Sequence, residues 1–155
     1  MPVPFGGRED GEDAGWSDFL RMKAVAQPMD LELLADTCEG LEIERQRWGL
    51  AQVLHLLGGS APGTAPANCS APQIKAMWAG LLADSGAYES AAMALLPARS
   101  VYTCGRLGDG GHIAQVVLPG GVGAHSRGAN TLSMAIVAAL LRALGREAPP
   151  NGAAH

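Results

Sequence analysis

At 155 residues the chain is long enough to bury a core, and 48% hydrophobic against 17% charged residues suits a folded chain rather than a disordered one. A net charge of −4, with 11 Lys plus Arg and no basic cluster, argues against nucleic acid as a partner. No apolar run approaches the ~20 residues of a membrane span, and the first residues lack the basic-then-apolar pattern of a secretory signal. The expectation is a cytoplasmic chain with no membrane partner, its three cysteines reduced and too widely spaced for a disulfide framework or a metal knuckle.

Residues 1–15 combine Pro, Gly and the acidic run Glu9-Asp10-Gly11-Glu12-Asp13, the composition of a disordered tail. Trp16, Phe19, Leu20 and Lys23 then fall at i, i+3, i+4, i+7, a short amphipathic helix that opens the folded part, residues 16–146. Asp30 is a good N-cap for a helix with Leu31, Leu34, Cys38 and Leu41 on one face, and Gly40 ends it. A second helix is expected from about Glu42 to Leu57, with Ile43, Leu50, Leu54 and Leu57 as its buried stripe and Trp48 at the stripe's edge. His55 reads as a surface histidine, since no second ligand stands four residues away on its helix.

Residues 58–68, rich in Gly, Ala and Pro, read as a linker between two parts of one domain. Ser70-Ala71-Pro72-Gln73 then matches a capping box, with Cys69 and Ile74 in the positions of a hydrophobic staple. Ile74, Met77, Trp78, Leu81 and Leu82 follow helical spacing, and a shorter helix carries Tyr88 to Leu96 before Pro97 stops it.

Asp109-Gly110 signals a tight turn between two runs of strand character, residues 99–107 and 111–118. With a two-residue loop, Leu107 faces His112 and Cys104 faces Gln115. Val101, Leu107, Ala114, Val116 and Leu118 would then share the core face, leaving Tyr102, Cys104, Arg106, Ile113, Gln115 and Val117 on the other. Pro119 ends the second strand. A glycine-rich loop over 120–131 leads to a helix over about 130–145 that is apolar almost all round, the pattern of a central core helix. Arg142 and Arg146 fall in its last turns, where cations suit the helix dipole, and residues 147–155 read as a second disordered tail. The fold class is α+β, helix-rich, with the hairpin packed on the buried C-terminal helix.

Three places could carry function. The first is Asn68-Cys69-Ser70 before a helix, where a thiolate gains from the helix N-terminus, with His112 opening a strand and His125 following thirteen residues later. This order resembles the NlpC/P60 family of papain-like cysteine peptidases, which hydrolyse cell-wall peptides. The resemblance implies Cys69 as nucleophile, His112 as base and His125 as the orienting group. The chain departs from the family where it lacks the glycine after Cys-Ser and runs into a buried helix instead of further strands. The second place is the loop at His125, Ser126 and Arg127, whose donors beside a helix start suit an anion; no Walker or dinucleotide pattern accompanies it. The third is the outer hairpin face, where Tyr102, Ile113 and Val117 are more apolar than solvent requires and suit self-association or a protein partner. Taken together the residues point to a non-enzymatic interaction, regulatory or assembly protein that uses no cofactor and no metal, with cysteine hydrolysis as the alternative.

Overall fold

A computed structural model describes residues 28–58 and 71–147. Among these, five helices and one three-stranded antiparallel sheet make an α+β fold. The order is α1 (Pro28–Gly40), a 3-10 turn (Ile43–Arg45), α2 (Gln46–Gly58), α3 (Ala71–Asp84), α4 (Tyr88–Ala94), β1 (Val101–Arg106), β2 (His112–Val117), β3 (Gly123–His125) and α5 (Leu132–Glu147). The tails at 1–15 and 147–155, the amphipathic segment at Trp16–Lys23, the linker and the side chains of the Ser70 capping box lie outside the described residues, Glu147 apart.

α5 is the axis of the fold. Every residue from Ser133 to Leu144 is buried, as its lack of a polar face predicts. α1 packs along it most extensively, β2 and β3 lie on it, and α4 and α2 complete the enclosure. The helix starts two residues later than expected because Thr131 is the cap: its Oγ accepts the Met134 N–H at 3.4 Å. Asn130 is engaged elsewhere, its Nδ2 donating to the Leu41 carbonyl at 2.9 Å.

α1 buries Leu31, Ala35 and Cys38, with Leu41 just past its end, close to the face expected of it. α2 buries Leu50, Val53 and Leu57. Ile43 departs from its expected stripe because it sits on the 3-10 turn, ahead of the helix, and stands exposed. Trp48 is partly exposed, with the Arg45 guanidinium 4.9 Å from its ring centre.

The hairpin closes by a different loop from the one expected, and the difference moves β1. Gly110 N–H donates to the Leu107 carbonyl at 3.0 Å, and Leu107 N–H donates to the Gly111 carbonyl at 2.7 Å. Only Gly110 in this loop has positive φ, at 94°. This is a three-residue loop in which a turn is followed by one left-handed glycine, not the two-residue form that needs two such residues. Asp109 still serves the turn, its carboxylate accepting the Gly111 N–H at 2.9 Å. The register therefore pairs Arg106 with His112, Cys104 with Ala114, Tyr102 with Val116 and Val101 with Val117. A one-residue slip exchanges the faces of a strand. β2 keeps its expected core residues, Ala114 and Val116, with Leu118 beyond them. Val101 instead joins Ile113, Gln115 and Val117 on the outer face, and Tyr102 and Cys104 share the inner face with Val116 and Ala114.

A third strand lies where the sequence suggested only a loop. Gly123–His125 pairs with β2, His125 opposite Gln115 and Ala124 opposite Val116. Past β3 the ladder continues through a side chain: Ser126 Oγ accepts the Ala114 N–H at 2.8 Å while Ser126 N–H donates to the Ala114 carbonyl at 2.9 Å. Arg127 and Gly128 then bulge, with Gly128 at φ 145°, before Ala129 bridges back to His112.

Candidate interaction surface

The helix with the broadest exposed apolar face among the described residues is α3. Its large apolar residues, Ile74, Met77, Trp78 and Leu81, fall at i, i+3, i+4, i+7 and all face outward, with Trp78 60% and Leu81 62% exposed. Its core face is built from small residues: Ala79 and Ala83 are buried, Ala76 is half-buried, and Gly80 comes close to Leu54 of α2. Small residues let α3 approach α2 and α4 closely. The bulky stripe is left over by that packing. Lys75, beside it, reaches back to the Leu96 carbonyl at 3.1 Å, so its charge does not screen the stripe. An ordered apolar stripe of this kind on a folded surface marks a contact site more often than a lone exposed leucine does.

β1 is exposed in a second way. Among the described residues no helix packs broadly against it, and its residues are exposed on both faces apart from half-buried Gly105. The residues expected to form one patch are divided by the register: Tyr102 is on the inner face, while Ile113 and Val117 are on the outer face with Val101.

The loop expected to take an anion is already bound to carboxylates of the chain itself. Arg127 N–H donates to Glu39 Oε2 at 3.1 Å, and its guanidinium lies 3.5 Å from Glu32 Oε1 and 3.6 Å from Asp36 Oδ1. Ser126 is buried and spent on Ala114. His125 is exposed, and its carbonyl accepts Arg142 Nη1 at 3.3 Å.

Arg142 is the centre of this cluster, and the sequence reading did not place it there. It is 3% exposed and stands five residues before the end of α5, too early to serve the helix terminus. Its Nε donates to Glu32 Oε1 at 2.9 Å, its Nη2 to Asp36 Oδ1 at 2.6 Å, and its Nη1 meets Glu39 Oε1. Burial alone would lower the Arg142 pKa, but the hydrogen bonds to Glu32, Asp36 and Glu39 outweigh it and raise the pKa above the usual value. The legible signal was the spacing of Glu32, Asp36 and Glu39 at i, i+4, i+7, an acidic stripe beside the apolar one, facing the one cation inside an apolar helix. The cluster ties α1 to α5 and leaves its donors committed.

His112 and His125 do not converge. His112 shares the inner sheet face with Ala114, whereas His125 stands opposite Gln115 on the outer face. Cys69 itself lies outside the described residues. An open cleft of about 550 Å³ separates the 3-10 turn from the hairpin tip, lined by Glu42, Ile43, Glu44, Asp109, Gly110, Gly111 and Asn130. Among the described residues no three His, Cys, Asp or Glu side chains are grouped to hold a metal ion, and no helix is long and apolar enough to cross a membrane.

No family model, curated protein or solved structure matches the chain. The likeness to NlpC/P60 peptidases thus rests on its short motifs alone.

Proposed function

We propose that the protein is a non-enzymatic interaction or assembly module, acting as an oligomer or through a protein partner. The observation that carries this reading is the outward stripe of α3. Burying Ile74, Met77, Trp78 and Leu81 within the fold would remove a substantial apolar area from water, at about 25 cal/mol per Å². The chain instead presents them together on one helix, as an amphipathic helix does for a partner's groove. Aromatic and Met side chains are also the types enriched where protein interfaces are most buried.

The test is Trp78→Glu with Leu81→Glu in the full chain. Partner binding, and any self-association through α3, followed by affinity capture from the chain's host and by sedimentation, should be lost in the double variant. The variant's thermal midpoint should stay where it was, because neither side chain supports the core. If every captured protein and the oligomeric state are the same for both chains, α3 is not a contact surface.

A further inference from the structure

We propose that the open edge of β1 pairs with β1 of a second copy, antiparallel about a two-fold axis at Cys104, joining two three-stranded sheets into one of six strands. This is a specific form of the association proposed above. It uses a different surface from α3, so the two can fail separately.

The argument starts from which backbone groups are free. The bond from Leu107 N–H to the Gly111 carbonyl starts the ladder between β1 and β2. Antiparallel alternation then turns the N–H and C=O of Gly105, Thr103 and Val101 toward β2. Those of Tyr102, Cys104 and Arg106 turn away, to the open edge. The far side of β2 agrees, since His112 and Ala114 spend theirs on Ala129 and Ser126. No described residue hydrogen-bonds the three outward positions of β1.

Edge strands are normally guarded by charged side chains, above all Lys, by Pro, a bulge or shortness, or by a covering helix or loop. β1 reads Val-Tyr-Thr-Cys-Gly-Arg, six regular residues with no Lys, Pro or bulge, and its one charge, Arg106, stands at its end. Val101 is 62% exposed on one face and Tyr102 42% exposed on the other.

A second copy fits because the strand is self-complementary in one register. Outward residues must face outward residues, so the residue numbers of each pair sum to an even value. A sum of 208 uses all three. Tyr102 then faces Arg106 of the other copy, Cys104 faces its own counterpart, and Arg106 faces Tyr102, each as a hydrogen-bonded pair. The arginines meet tyrosine rings rather than each other, an attractive arrangement in place of a repulsive one. On the opposite face Val101 gains Leu107 of the other copy. Shifting the register by two residues leaves one outward position without a partner in the strand.

The register can be read directly. Paired α-carbons at a hydrogen-bonded position lie about 5.5 Å apart, inside the ~4.4–6.8 Å span that a disulfide tolerates. Cys104 is exposed and Cys38 is buried. In the full chain carrying Cys69→Ser, oxidation with copper phenanthroline should link copies through Cys104. Moving the thiol by Cys104→Ser with Thr103→Cys should lose the link, because Thr103 faces Gly105 of the other copy. Tyr102→Pro removes an edge donor without touching the bonds to β2, which edge strands tolerate. Sedimentation equilibrium should show a dimer whose Kd rises at least ~10-fold in Tyr102→Pro. A monomer at about 100 μM would overturn the proposal. So would a dimer that neither links at Cys104 nor weakens in Tyr102→Pro; that result would locate association elsewhere and leave the α3 reading standing.

Discussion

Arg142 shows how one buried charge can be satisfied by a neighbouring helix. Three carboxylates of α1 and one carbonyl at the end of β3 occupy its guanidinium. Glu32 and Asp36 are 44% and 47% exposed, so solvent screens their share; Glu39, at 9%, is the partner least open to water. Removing the arginine would leave the nearly buried Glu39 with only the Arg127 N–H, and Glu32 and Asp36 with only the exposed Arg127 guanidinium. Arg142→Ala is therefore expected to cost about 3–5 kcal/mol in urea unfolding, and Arg142→Lys most of that, since one ammonium cannot reach three carboxylates as a guanidinium does. A loss below about 1 kcal/mol for the alanine variant would mean the cluster is a surface network. Gly49 is a second residue whose role lies in contact rather than conformation. A β-carbon there would stand 2.7 Å from Leu41 Cδ1 and 2.7 Å from Met134 Sδ. Met134 is fully buried and has little room to give. Gly49→Ala should destabilise by about 1–3 kcal/mol, although alanine is the better helix former. The acidic spacing on α1 hinted at a buried cation, but the role of Gly49 left no mark in the sequence, because it depends on which helices meet.

At the scale of elements, legibility followed how many faces a segment offers. α5 has no polar face, so burial was the only outcome, and its extent was read to within two residues. Leu140→Ala there should cost about 2–5 kcal/mol by chemical denaturation, and a loss under about 0.5 kcal/mol would remove α5 from the centre of the core. α3 has two apolar faces, one bulky and one small. Periodicity separates these faces but does not say which turns inward, and here Ala79 and Ala83 turn inward. Ala79→Leu should therefore destabilise through overpacking, whereas Trp78→Glu should change stability by less than about 0.5 kcal/mol, the reverse of what side-chain size alone suggests. β1 was misread through its loop. Asp109-Gly110 marked a turn correctly, but the turn's length decides the register, and one residue of difference exchanged Val101 with Tyr102 across the sheet. β3 is three residues among glycines, too short to leave an alternating pattern.

Across the whole molecule, α1 is held to α5 both by the Arg142 cluster and by an apolar seam, and Cys38 sits in that seam. The cysteine gives the α1 and α5 contact a dependence on alkaline pH. Desolvation by burial, helped by the neighbouring Glu39 carboxylate, pushes the Cys38 thiol up from 9.0 to about 12. Between those values the unfolded chain loses the thiol proton while the folded chain keeps it. The unfolded state then binds fewer protons, so stability falls as pH rises. The contribution is fully present below pH 9 and disappears by about pH 12, with a slope of at most ~1.4 kcal/mol per pH unit. Other groups titrate in the same range, so the measurement is a difference. The unfolding free energies of wild type and Cys38→Ala, followed from pH 7 to 11, should run parallel up to about pH 9 and converge above it, because only the wild type has this thiol to ionise. Parallel curves throughout would show that water reaches Cys38 and that the seam between α1 and α5 is open there. The same burial makes Cys38 slow to alkylate in the folded chain at neutral pH, while exposed Cys104 reacts, and denaturant should abolish the difference.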